Sequence, residues 1–349
     1  DPNLAVGDDD TLYVAWEDYR NSNYDVYLAK STDDGATWLA NTNVISEAGS
    51  AAQRYPSLAV DITGTLYLAW QDERESSYYD DIYFARSTDG GETWSPNVRV
   101  NDDTGSATQS NPSLAVGGDG TLYLAWQDER ESSYDDIYFA RSTDGGETWS
   151  PNVRVNDDVG SVNQYNPSLA VGDDGVLHVA WQDERESSYD DVYVATSYSR
   201  GDRWSTDVKV SDDTASVNQW NPSLAVGPDG TPYLAWEDGR SGNWDVYTSR
   251  RGPYYEASGS YVADRLDAGD LAAWNSLAWT DTLPEGTAIT LAVRLGNTPS
   301  PDLHWSEWVT LTASPADLSG LPPSRYLQWR AMLSSTSTGV VTATPSRSG

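Results

Sequence analysis

Ser142-Thr143-Asp144-Gly145-Gly146-Glu147-Thr148-Trp149 decides the fold, because the identical octet stands at Ser87 to Trp94 and weaker copies flank the pair. Ser31 to Trp38 departs from it at two positions, and Ser197 to Trp204 keeps the serine, Gly201 and Trp204. Its chemistry is that of a turn. An aspartate at the third place (Asp33, Asp89, Asp144) accepts bonds from nearby backbone amides. A glycine at the fifth (Gly35, Gly91, Gly146) supplies a positive φ, and a tryptophan at the eighth (Trp38, Trp94, Trp149, Trp204) is expected to pin the hairpin to its own sheet.

Outward from this turn runs a larger repeat. The tryptophan of a Trp-x-Asp-x-Arg motif falls at Trp16, Trp70, Trp126, Trp181 and Trp236, about every 55 residues. In the third unit, Pro112 to Val116, Thr121 to Gln127, Asp136 to Arg141 and Trp149 to Val155 alternate apolar and polar residues between Gly/Asp turns. That pattern predicts four short antiparallel strands, with no helical period anywhere in the unit. A four-stranded meander repeated radially is a propeller blade. The expected fold is therefore all-β: a five-bladed β-propeller over residues 1–255, followed by a small β-sandwich. The fifth unit lacks the turn octet and an obvious outer strand, so Gly252 to Ala257 is the candidate replacement, and further blades upstream are the alternative to a ring of five.

The Ser-x-Asp-x-Gly-x-Thr-Trp pattern resembles the Asp-box (BNR repeat) of sialidase-like β-propellers. The resemblance implies that the octets are scaffold, on the face opposite the ligand-binding loops. Beyond about Gly259 the repeat stops. Tyr261 to Asp267, Ser276 to Trp279, Thr287 to Arg294, Trp305 to Leu311 and Arg325 to Leu333 are candidate strands of a sandwich over 259–335, with turns at Pro284-Glu285-Gly286 and Gly296-Asn297-Thr298-Pro299. Segments such as Trp305-Ser306-Glu307-Trp308 and Arg325-Tyr326-Leu327-Gln328-Trp329-Arg330 resemble accessory sandwich domains of secreted bacterial proteins, which implies an extracellular or cell-surface location. Residues 336–349, rich in Ser and Thr, read as a tail or linker.

Composition excludes several functions. With 54 acidic against 21 basic residues the net charge is -33, which repels nucleic acid and anionic membrane surfaces and leaves cations as partners. There is no cysteine, so disulfides, thiolate metal sites and a cysteine nucleophile are ruled out. No apolar run is long enough for a membrane helix. Asp102-Asp103, Asp157-Asp158 and Asp212-Asp213 are candidate Ca²⁺ ligands without the spacing of a calcium loop. His178 and His304 read as packing residues.

For binding, two sets stand out. Arg20, Arg74, Arg130, Arg185 and Arg240 recur with Asp72, Asp128 and Asp183 in the Trp-x-Asp-x-Arg motif. Sialidases are similar in using an arginine cluster to hold a substrate carboxylate. The competing reading is that each arginine pairs with an acid such as Asp81, Asp136 or Asp191, and repetition favours it, because catalysis needs one asymmetric constellation. Tyr165 and Trp220 are different: they are aromatics that break the repeat before the proline of each connection, and sugars stack on such rings. The early Arg-Ile-Pro segment that the resemblance predicts is absent, and Tyr24 is matched by Tyr134 and Tyr189. The expectation is thus a non-catalytic binding protein for a glycan or surface partner, with a glycoside hydrolase as the alternative and a structural surface or filament component as a third reading.

Overall fold

The computed structural model describes residues 2–45, 51–75, 78–131, 133–186, 189–211, 217–250, 258–263, 265–279, 287–302 and 304–335. The expected outer strand at Gly252 to Ala257, the Pro284-Glu285-Gly286 turn, the Asp212-Asp213 pair and the tail 336–349 lie outside them. The chain divides into two compact units, residues 1–251 and 252–349.

The first unit is a series of antiparallel sheets, each joined in simple sequence order. In the third repeat the strands are Gln109–Val116, Leu122–Asp128, Asp136–Ser142 and Val153–Arg154. The first, second and fourth repeats match it strand for strand, and the fifth has three described strands, Gln219–Val226, Pro232–Asp238 and Asp245–Arg250. Repeated four-stranded antiparallel sheets of this kind are those of a β-propeller.

Two boundaries in this repeat differ from the sequence reading by more than a residue. The fourth strand is only two residues, here and in the first, second and fourth repeats, with or without a proline after the turn. The first strand starts before its proline, at Gln109, since a β-bulge lets pairing resume on both sides of it. The bulge residues Tyr55, Asn111, Asn166 and Asn221 all have φ of 50–54°. Asparagine tolerates that left-handed conformation, whereas tyrosine in it is uncommon.

The cores lie between neighbouring repeats. Ile82 and Phe84 of the second pack with Leu114, Leu122, Leu124 and Trp126 of the third, and the same positions pair the third with the fourth. Burying each such side chain contributes about 1.5–3 kcal/mol. Hydrogen bonds follow the same seam: the N–H of Leu114, Leu169 and Leu224 donates to Ser57, Ser113 and Ser168 of the preceding repeat, each at 2.9 Å.

The end repeats lack this cover on their outer faces. Leu4 is 59% exposed where its equivalent Leu58 is 5% exposed, and Val246 is 73% exposed where Ile82, Ile137 and Val192 are fully buried. The two faces that a closed ring of five would press together are open to solvent.

In the second unit, Thr287–Gly296 and Ser324–Ser335 form the centre of a sheet, flanked by Val309–Leu311 and Ser258–Val262, and Leu266–Ala272 also pairs with the long last strand. Ser276–Leu277 and Ala316–Asp317 make a separate two-stranded ladder. Leu291, Val293, Leu295, Leu311, Leu318 and Leu327 form its core.

Candidate functional site

Because the strands run up and down in order, the turns after the first and third strands lie at one end of each sheet. The turn after the second strand and the connection between repeats lie at the other. The octets occupy the first end. Ser142 Oγ donates to Asp144 Oδ1 and accepts from Gly146 N, and Asp144 in turn accepts from the Thr148 amide and hydroxyl. Asp89 and Asp33 are engaged in the same way. These bonds, first the one from Thr148, hold the Asp144 carboxyl down at about 2.

The tryptophan's partner is not the one expected. Trp149 meets Phe84 of the preceding repeat edge-on at 5.3 Å, and Trp204 meets Phe139 at 5.2 Å. The preceding repeat also caps the turn: Lys30 Nζ donates to Gly90 O, Arg86 to Gly145 O and Arg141 to Arg200 O. The octet therefore joins one repeat to the next.

Each Trp-x-Asp-x-Arg motif folds into a closed cluster. Asp72, Asp128 and Asp183 are fully buried, and each accepts from the tryptophan Nε1 two residues before, from the N–H of its own arginine and from that arginine's Nη2. The guanidinium of Arg74, Arg130 and Arg185 lies 4.1–4.4 Å from the ring of Tyr83, Tyr138 and Tyr193. The arginines thus reach back two residues. Asp81, Asp136 and Asp191 are claimed instead by Arg99, Arg154 and Lys209 of the fourth strand.

Asymmetry is concentrated in a second layer of the same face. The residue just before the third strand is Tyr24, Asp80, Asp135, Asp190 and Trp244 in successive repeats, and the second residue of the first strand is Arg54, Ser110, Tyr165 and Trp220 from the second repeat on. The backbone brings the two sets together. Gln53, Gln109, Gln164 and Gln219 each donate their N–H to the carbonyl of Tyr24, Asp80, Asp135 and Asp190 of the preceding repeat, at 2.7–2.9 Å.

Around Asp190 the layer is filled. Tyr165 donates its hydroxyl to Asp190 Oδ1, and Trp220 Nε1 donates to Oδ2 at 2.6 Å. Trp220 stacks on Trp244, ring centroids 4.3 Å apart and 21° from parallel. Trp244 is half exposed and carries this stack to the surface. Arg54 lies over Tyr24 at 4.1 Å at the other end of the arc. The sequence singled out Tyr165 and Trp220 and missed Asp190, Asp80, Asp135 and Trp244; its match of Tyr24 to Tyr134 and Tyr189 is corrected, because those tyrosines stand one residue before Asp135 and Asp190, the true equivalents of Tyr24.

Burial dominates the electrostatics. It pushes the carboxyls of Asp80 and Asp135 up to about 6, against hydrogen bonds from Gln71 and Gln127, and raises Asp190 as well. Burial together with the bond to Asp190 drives the Tyr165 phenol far up, so it stays protonated as a donor. The candidate calcium ligands Asp102 and Asp157 are bonded to Arg130 and Arg185. Among the described residues no group of three or more His, Asp or Glu is placed to hold a metal ion. His178 sits buried against Thr196, its pKa lowered by burial to about 4.

The family model of the BNR/Asp-box repeat matches residues 85–96 and 140–151. A sialidase of Paraclostridium sordellii is 29% identical over 197 residues, which cover 47% of this chain and 48% of the relative. The chain thus spans about half the length of that relative. The solved structure of a Hadza microbial sialidase superimposes with a TM-score of 0.52 at 20% identity, covering 68% of this chain and 52% of that one. An α-L-arabinofuranosidase of Fusarium graminearum superimposes with a TM-score of 0.55 at 19% identity, covering 70% and 79%. These structural likenesses show the fold.

Proposed function

From its standing as an Asp-box, sialidase-like protein, we propose that this chain is a secreted or cell-surface glycan-binding protein whose site is the asymmetric layer of the loop face. The observation that carries the reading is the convergence of Tyr165, Trp220 and Trp244 around Asp190. An exposed indole offers a flat apolar face to the C–H face of a sugar, and adjacent carboxylates accept from its hydroxyls. The five repeats are read as propeller blades and residues 259–335 as an accessory β-sandwich.

Glycan-array binding of the full chain tests this, with Trp244→Ala as the probe. A loss of about tenfold is expected, equivalent to about 1.4 kcal/mol; a chain that binds no glycan, or a variant that binds as well as the parent, overturns the reading.

A second reading, glycoside hydrolysis, is favoured by the carboxyls of Asp80 and Asp135 at about 6. Such a group is protonated often enough near neutrality to donate to a leaving oxygen. Release of nitrophenol from aryl glycosides, lost in Asp135→Asn with melting unchanged, would establish it.

A further inference from the structure

Three departures from the repeat, Arg54 and Tyr55 of the second unit and Ser110 of the third, meet around Asp80 and together leave polar atoms without partners. In the third and fourth units the glutamine of the second strand is satisfied by its own bulge asparagine: Asn111 donates to Gln127 Oε1 and Asn166 to Gln182 Oε1. The second unit has Tyr55 at that bulge, which has no amide to give. Gln71, only 8% exposed, donates Nε2 to Asp80 Oδ2 at 2.8 Å, and its own Oε1 is buried with no partner.

Asp80 shows the same deficit. Its equivalent Asp190 is capped by Tyr165 of its own repeat and Trp220 of the next. Over Asp80 those places are held by Arg54 and Ser110, and Gln109 N donates to Asp80 O just as Gln219 N donates to Asp190 O. A serine side chain is too short to do what Trp220 does. Asp80 Oδ1 is buried and unpartnered, and so is Arg54 Nε. Two acceptors and one donor, each buried without a bond, are destabilising unless something completes them.

We infer that the cluster of Asp80, Gln71 and Arg54 is a subsite for two neighbouring hydroxyls of an uncharged sugar ring, beside the strained, partly exposed Tyr55. A hydroxyl both donates and accepts, so a vicinal pair can give to Gln71 Oε1 and Asp80 Oδ1 while taking from Arg54. A sugar carboxylate meets mostly like charge here, because Asp80 is backed by Glu73 and Asp72 against Arg54 alone, and the five Trp-x-Asp-x-Arg arginines are already bonded to their own aspartates. The inference rests on the glycan-binding reading and adds which sugars and which residues.

Titration calorimetry of the full chain with arabinobiose, cellobiose, lactose and 3′-sialyllactose tests it. At least one uncharged disaccharide should bind more tightly than the sialylated one, and Asp80→Asn and Gln71→Met should each weaken that binding tenfold or more. Melting curves within a few degrees of the parent certify each variant's fold, and two substitutions are used so that one misfolded variant leaves a second readout. A chain that binds none of the four overturns this subsite together with the glycan reading. Binding that survives both variants but falls with Trp244→Ala overturns the subsite alone, and a preference for 3′-sialyllactose overturns its choice of an uncharged sugar.

Discussion

At the scale of the residue, the fourth repeat carries an aspartate that the third shows to be replaceable. Asp207 accepts from Asp157 N and from Arg185 Nη2, as Asn152 accepts from Asp102 N and Arg130 Nη2. Asn152 also has a donor, aimed at Val100 O, whereas Asp207 Oδ1 is buried without a partner. Burial, with Asp157 alongside, pushes Asp207 up to about 7. The unfolded chain loses that proton near pH 4, so between pH 4 and 7 the folded state holds the extra proton. Stability therefore falls as pH rises through this window and the contribution is gone above it. Asp207→Asn should stabilise the protein at pH 8 by about 1 kcal/mol, or about 2–4 °C in melting temperature, and give no gain at pH 4. Calorimetric melts at the two pH values check it; equal shifts at both would mean that the carboxylate is not the cause. The same layer explains what the sequence hid. In so acidic a chain Asp80, Asp135 and Asp190 are inconspicuous, and only alignment of the repeats, which puts Tyr24 and Trp244 in their place, marks that position as asymmetric.

At the scale of the element, the turn octet was legible because its bonds are local: a serine, an aspartate and a threonine within seven residues. Its tryptophan was misplaced because the partner, Phe84 or Phe139, lies a repeat away, and no local pattern states how one sheet seats on the next. One signal was available. The last residue but one of the third strand is Lys30, Arg86 and Arg141 in the three repeats whose successor carries an octet, but Thr196 in the fourth, whose successor does not. The octet glycines belong to that seam. A Cβ on Gly146 would stand 1.9 Å from Phe84 Cε1, at a φ of +88°. Gly118, in the turn between the first and second strands, has nothing within 4 Å of its Cβ position. Gly146→Ala is expected to cost more than about 3 kcal/mol by steric overlap and backbone strain together, and Gly118→Ala less than about 0.5 kcal/mol. Urea unfolding of the two variants separates local turn chemistry from inter-repeat packing: similar costs would show that the octet does not join the sheets.

At the scale of the whole molecule, repeat length and alternation made the sheets legible, but closure was not, since it depends on whether the first and fifth repeats meet. Their burial gives a direct test. Leu4 occupies the place of Leu58, Leu114 and Leu169, yet it is exposed where those three are buried under a neighbour. Trp38, the first octet's tryptophan, is likewise exposed. Truncating a buried leucine costs about 2–5 kcal/mol through lost transfer energy and the cavity left behind, while an exposed one leaves no cavity. Leu58→Ala should therefore destabilise by about 3 kcal/mol and Leu4→Ala by less than about 1 kcal/mol. If urea melts show the two costs to be equal, the outer face of the first repeat is covered in solution. The protein would then present its loop-face residues as part of a larger closed surface, and the arc from Tyr24 to Trp244 would be only one sector of the site.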